Sequence, residues 1–381
     1  MKLCIITDLH CKYQRDSEPS ETLLFSNMPR KPFNQHPVAA MIKAIEEDSS
    51  IHSDYLLCLG DLGDKADEQG ISTAWTFAEE IKQKLNAGCK IGLPGNHDIN
   101  SRKINNKEPF SYIQNFHESF PTNDESLNNK FWHQGYAILI NNESLFLMIN
   151  TVKDHLDEKK AYTSQIELST LEDIKTELES INFDHISFRI CLLHHHPIKH
   201  SNIINVRDGD SIDHGDDLIK LLNRFAFNIV IHGHKHQPRI VELNGLPIFA
   251  TGSFSSFANL QATGYNTMFH IVELVKSKSI GKITSWEYNK VEGWTKCLNK
   301  NFPPIIGFGS NIDLDKVAYQ INEILLNEGK PIFYNDILLN IPELEYLIPE
   351  KLVRLKKILI DKYGIAESPD FPLIPQTITI I

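Results

Sequence analysis

Short, strongly apolar runs recur along the chain, and each stops abruptly at polar residues. Residues 2–7 (KLCIIT), 54–59 (DYLLCL), 89–93, 187–193 and 228–231 carry almost no polar face, as expected of strands covered on both sides. Amphipathic helices are expected over 37–48, 70–86, 164–180 and 215–226. Hairpins are expected across Asn141-Asn142, joining 136–140 to 144–150, and across Asn244-Gly245, with further strands near 265–274 and 282–288. Residues 14–37 are polar and proline-rich and read as a loop. Strands alternating with helices, followed by hairpins, predict a mixed α+β/α/β chain: a two-sheet β-sandwich flanked by helices. After about residue 305 the pattern turns helical, over 314–327, 335–341 and 350–362. The last of these has Leu352, Leu355, Ile358 and Leu359 on one face and Lys351, Arg354 and Lys357 on the other. The expected division is a domain over 1–300 and a mainly helical C-terminal segment over 305–381. That segment could dock a partner, act as a lid or be helix-turn-helix-like. No internal repeat is visible.

Where the apolar runs stop matters most. Five of them end in metal-capable side chains: Asp8-Leu9-His10, Gly60-Asp61-Leu62-Gly63-Asp64, Gly95-Asn96-His97-Asp98, His194-His195-His196-Pro197 and Gly233-His234-Lys235-His236. Loops at the carboxyl ends of buried strands commonly build active sites. Glycines beside the polar residues permit tight turns and close backbone approach. Asp, Asn and His combine hard oxygen with borderline nitrogen donors, a mixture suited to Mn²⁺, Fe, Zn²⁺ or Ni²⁺. Each run alone is a weak signal. All five in this order make a site.

The ordered series DxH, GDxxD, GNHD, HxP and GHxH resembles the calcineurin-like metallophosphoesterase superfamily, over residues 3 to about 240 with supporting strands to about 290. The resemblance implies the sandwich fold and two divalent metal ions. Asp8, His10 and His236 would bind one metal; Asn96, His195 and His234 the other; Asp61 would bridge them. His195 is selected within the triple histidine because proline follows two positions later, which leaves His194 to end the strand and His196 to line the mouth. His97 would protonate the leaving oxygen, oriented by Asp64, while Asp98 braces the loop. The implied reaction is two-metal phosphoester hydrolysis by a metal-bridging hydroxide. The expected substrate is a cyclic nucleotide or related nucleotide. The alternatives are a metal-dependent nuclease working with a partner protein, and a non-catalytic metal-binding interaction protein. The last is disfavoured because His97 and every ligand position are present.

Composition adds limits. The net charge of −11 argues against a broadly basic nucleic-acid surface but leaves room for a local basic cleft. Six scattered cysteines form no CxxC pair, so a reducing cytoplasm fits, and no apolar run is long enough to span a bilayer. Substrate choice would reside in the insertions 14–37, 99–130 and 198–214. Arg30, Lys31, Arg102, Lys103, Lys107, Lys199 and Arg207 could form a cationic rim there, with Arg102, His196 and Lys199 as candidate substrate contacts. Phe110, Tyr112 and Phe116 could stack on a base or serve as local core. His232 reads as structural, and His36, His117 and His214 as surface residues. Self-association or a protein partner would use the C-terminal segment.

Overall fold

A computed structural model of the chain describes residues 1–14, 21–116, 119–199, 211–257, 264–276, 278–299, 302–368 and 374–380. The first sheet takes β1 (Lys2–Ile6), β2 (Tyr55–Leu59) and β3 (Cys89–Leu93). The second takes β4 (Tyr136–Asn141) and β5 (Ser144–Ile149). A two-residue ladder pairs β6 (Ser164–Gln165) with β8 (Ile212–Asp213), and β7 (Phe188–Leu193) lies between them in sequence. β9 (Ile229–His232), β10 (Arg239–Leu243) and β11 (Leu246–Ala250) complete the second sheet with β7. β12 (Met268–Leu274), β13 (Gly281–Asn289), β14 (Gly293–Lys296) and β15 (Ile305–Phe308) extend the first. The sheet orders are β14-β13-β12-β1-β2-β3, with β15 also on β13, and β10-β11-β9-β7-β5-β4. Leu3, Ile5, Leu57, Phe146, Ile190, Ile231 and Phe249 meet in the core between the two sheets. Helices α1 (Pro37–Glu47) and α2 (Glu68–Lys84) contribute to the core cluster on one outer face. α3 (Glu125–Gln134) borders the inner core, and α4 (Leu168–Ser180) and α5 (Gly215–Arg224) help cover the other outer face. The chain is therefore a two-sheet sandwich flanked by helices.

Register explains the site. β1, β2 and β3 run parallel, pairing Ile6 with Cys58 and Leu59 with Leu93. β7 and β9 are likewise parallel, pairing Leu193 with His232. Thr7, Gly60, Pro94, His194 and Gly233, the first residues past these strands, consequently emerge at one end of the sandwich.

Two expectations need correction here. His36 is fully buried rather than on the surface, and its Nδ1 accepts the Ala39 N–H at the start of α1. Lys351 is not part of an outward basic face. Its ammonium reaches the Glu242 carboxylate at 2.5 Å and the Ser310 carbonyl at 2.6 Å. His214 is exposed beside Asp217, as expected of a surface residue, and His117 lies outside the described residues.

The C-terminal segment comprises α6 (Leu314–Glu328), β16 (Ile332–Phe333), α7 (Tyr334–Asn340), α8 (Pro349–Tyr363), β17 (Ile365–Ser368) and β18 (Thr377–Ile380). Its strands form a small sheet, β16-β18-β17, that the helical pattern did not reveal. Val317, Ile321, Ile337, Leu355, Leu359 and Ile378 form its separate core. It abuts β15 and the β10–β11 hairpin, at the end of the sandwich away from His194 and Gly233.

Candidate metal centre

The backbone around the polar runs is bent to aim side chains inward. Asp8, His10, Asp61, His234 and His236 all have positive φ, between 42° and 79°. Non-glycine residues in that region are uncommon, and such strain clusters at functional sites. Close approach also depends on glycine. A Cβ on Gly95 would stand 2.2 Å from Asp61 Oδ1, and one on Gly60 2.3 Å from His194 Nδ1.

Two donor clusters result. Asp8, His10, Asp61 and His236 bring ligand atoms within 4.8 Å of one another, as do His194, His195 and His234. His10 Nε2 stands 3.1 Å from His236 Nε2, and His236 Nε2 is 3.5 Å from Asp8 Oδ1. Asn96 Oδ1 lies 3.0 Å from His234 Nδ1 and 3.2 Å from His194 Nε2. Asp61 sits between the clusters: its Oδ2 is 3.5 Å from His10 Nε2 and 3.4 Å from His194 Nε2. Buried carboxylates, an amide oxygen and several imidazoles converging this closely fit divalent cations, which would relieve the crowding of lone pairs. Burial works against charge on Asp8 and Asp61, yet neighbouring imidazoles hold both carboxyls below the usual range.

The triple histidine divides differently from the expectation. β7 stops at Leu193, in line with the apolar run 187–193, but His194 does more than close the strand: its side chain turns inward to face Asp61. Its Nδ1 donates to the Leu59 carbonyl at 2.7 Å, which leaves Nε2 to face Asp61 and Asn96. Burial opposes its charge, but Asp61 pushes it up to about 9. His195 is also buried, with Nδ1 2.9 Å from Thr151 Oγ1, and lies beside His234. His194 and His195 are therefore both available as donors. His196 does not line a mouth: it is wholly buried, stacked against His234. His232 remains outside both donor clusters.

His97 stands apart. Its Nδ1 is 2.8 Å from Asp64 Oδ1, while its backbone N–H donates to Asp61 Oδ1 at 2.7 Å. Burial lowers the affinity of His97 for a proton, but Asp61 and Asp64 outweigh it and raise its pKa. Asp98 accepts the Gly63 and Gly95 N–H groups at 2.9 and 2.8 Å and so ties two motif loops together.

The expected cationic rim is partly neutralised. Arg30 binds Glu80, Lys107 binds Glu68, and Arg102 faces Glu158. Lys199 is exposed and does not line the metal cavity, and Arg207 lies outside the described residues. Phe110, Tyr112 and Phe116 pack into the outer core. Unforeseen contributors are Thr151 and the run 251–256 after β11, where Ser253 Oγ donates to the Asp8 carbonyl at 2.7 Å. The signal was present: this run too is a polar stretch after a buried strand.

A cavity of about 330 Å³ lies over these groups, lined by His10, Asp61, Asp64, Asn96, His97, His234 and His236 with Glu21, Thr22, Lys235 and Ser256. Such a site can hold a phosphoryl group against cations while a histidine faces one side. A family profile described as calcineurin-like phosphoesterase matches residues 1–238, and one described as wHTH-Calcineurin_assc matches residues 306–360. No curated protein sequence matches the chain. Among solved structures it is similar to a purple acid phosphatase from yellow lupin (Lupinus luteus) seeds, at 15% identity and TM-score 0.48. That match covers 75% of this chain but only 51% of the lupin protein. A dimetal phosphatase from Danio rerio is similar at 10% identity and TM-score 0.48, over 76% of this chain and 96% of that one. The first profile spans more than half the sequence, across all five metal-capable runs, so the chain belongs to the calcineurin-like phosphoesterase family and is a metallophosphoesterase.

Proposed function

We propose that this protein is a phosphodiesterase acting on a cyclic nucleotide or a related nucleotide. The supporting observation is the cavity of about 330 Å³ over the donor clusters, a volume that matches a small ester. Asp8, His10, Asp61 and His236 would hold one cation, and Asn96, His234, His195 and His194 the other with Asp61 shared. The donors suit Mn²⁺, Fe, Zn²⁺ or Ni²⁺. Bound cations polarise phosphoryl oxygens and lower the pKa of water. The chain's own residues supply the rest. Asn96 fixes one side of the phosphoryl site. Asp64 accepts the Nδ1 proton of His97, so Nε2 faces the leaving oxygen and delivers a proton to it.

A nuclease reading draws on the winged helix-turn-helix profile over residues 306–360, with Arg354 and Lys357 exposed on α8. Against it, that segment abuts the end of the sandwich away from the cavity, where docking a protein partner or a second copy fits better. The six cysteines are all unpaired, in keeping with a cytoplasmic protein, and among the described residues no helix is long and apolar enough to cross a membrane. The test is a Mn²⁺-loaded panel of bis-p-nitrophenyl phosphate, cyclic nucleotides, and single- and double-stranded DNA. Cleavage of cyclic nucleotides is expected. Cleavage of DNA alone would replace this reading with the nuclease.

A further inference from the structure

A second cavity lies beside the metal cavity, and its lining is different. It measures about 370 Å³ and is walled by Leu23, Phe25, Met28, Pro29 and Phe257, with Asn27 and Lys290 as polar members. Thr22 touches both cavities, and its neighbours divide between them. Glu21 and Ser256 line the metal side, whereas Leu23 and Phe257 line the apolar side. Hydrogen bonds hold this partition in place. Phe257 N–H donates to the Glu21 carbonyl at 2.8 Å, and Leu23 N–H to the Ser255 carbonyl at 3.0 Å. Ser253 and Ser255 then anchor the partition to the backbone of Asp8 and Leu9, beside the donor cluster. The apolar cavity therefore keeps a set position relative to the donor clusters.

The order of chemistries across the partition specifies a ligand. At one end a phosphoryl group meets the donor clusters. Beside the partition, Glu21 lines the metal cavity as an acceptor for hydroxyl groups, and among the described residues Lys235 is the one lysine lining that cavity. That charge pattern is poor for a polyphosphate and good for a sugar. At the far end Phe257, 38% exposed despite its size, presents a ring to a cavity of small-ligand dimensions. Phosphate, then hydroxyl-bearing spacer, then flat ring is the layout of a nucleotide. We propose that the cavity bounded by Leu23, Phe25, Met28 and Phe257 is a base-binding subsite, with the nucleobase stacked on Phe257 and its polar edge toward Asn27 and Lys290. This rests on the nucleotide reading above and supplies the residues that would make it selective.

The test uses the full-length, metal-loaded protein and two ligands whose C–P bond resists hydrolysis: the phosphonate analogues of AMP and of ribose 5-phosphate. Calorimetry should show the base-bearing analogue binding roughly 5- to 150-fold more tightly, the range of base–aromatic stacking. Phe257→Ala should collapse that ratio and Phe257→Trp should restore it. Equal affinity of the two analogues for the native protein, or an unchanged ratio in Phe257→Ala, would overturn the subsite. Parallel turnover of bis-p-nitrophenyl phosphate separates the two claims. Cleavage with no base preference would overturn the subsite and leave the hydrolase standing. A base preference without cleavage of any ester would uphold the subsite and remove the phosphodiesterase reading.

Discussion

Replacing Asp64 with Asn should slow the reaction without emptying the metal site. Asp64 Oδ1 stands 2.8 Å from His97 Nδ1, its Oδ2 is 3.1 Å from Lys12 Nζ, and its side chain is only 12% exposed. Asn keeps an acceptor but loses the charge. A hydrogen bond to a charged partner is worth about 1.5–3 kcal/mol and a neutral one about 0.5–1.5, so the loss is about 1–2 kcal/mol. If the transition state bears it, kcat falls roughly 5- to 30-fold. His97→Ala, which removes the proposed proton donor itself, should cost about 10²–10⁴. The assay is steady-state kinetics on two diesters, one releasing p-nitrophenolate and one an alkoxide, with metal content measured alongside. A good leaving group needs little protonation, so both variants should lose more on the alkyl ester. Equal losses on the two esters would refute the role of His97 as acid. A loss that follows metal content would show Asp64 acting instead through His10, 3.5 Å away.

Other perturbations reach separate parts of the molecule. Asp61→Ala should reduce bound metal below one equivalent by elemental analysis, since its Oδ2 lies between both donor clusters; retention of two ions would disprove its bridging position. His194→Ala and His195→Ala should each weaken metal binding by more than the roughly 10- to 100-fold cost of losing an outer-shell partner, if both imidazoles are ligands; a loss within or below that range would show that the histidine is not a ligand. Lys351→Ala should destabilise the protein by about 1–3 kcal/mol in urea unfolding, because Glu242 is left largely buried beside the C-terminal segment. A change below about 0.5 kcal/mol would mean that apolar packing alone fixes that junction. His270 is buried, and burial pushes it down to about 3, while it bonds Ser285 Oγ and the Gly252 N–H. Its native form is neutral and the unfolded chain takes up the proton first, so stability present above about pH 6.5 is lost as pH falls toward 3. Each unit in that window costs up to about 1.4 kcal/mol. His270→Gln should be less stable at neutral pH but flatter between pH 6.5 and 4.5 in denaturant titrations, and an identical slope would contradict this.

Much of the site can be read from the chain because of how parallel strands are covered. A strand buried on both faces has to be apolar along its length, so the first polar residue marks its end. Asp8, Asp61, Asn96, His234 and His236 all lie just past such ends. Pairings such as Ile6 with Cys58 and Leu193 with His232 then bring those ends together.

Other features depend on distances that sequence does not encode. His194 and His195 are adjacent, and only the turn after Leu193 shows that the first faces Asp61 and the second Thr151. Lys351 shares a helical stripe with Arg354, yet Glu242, 109 positions earlier, turns it inward. β16 has two residues, too few for a periodic signal. The apolar cavity joins residues 22–29 to Phe257 and Lys290, and nothing local in any of these segments reveals the others. Residues following buried strands were set by local pattern, because burial leaves those strands no alternative. Partners drawn from distant segments were decided only when packing brought them into contact.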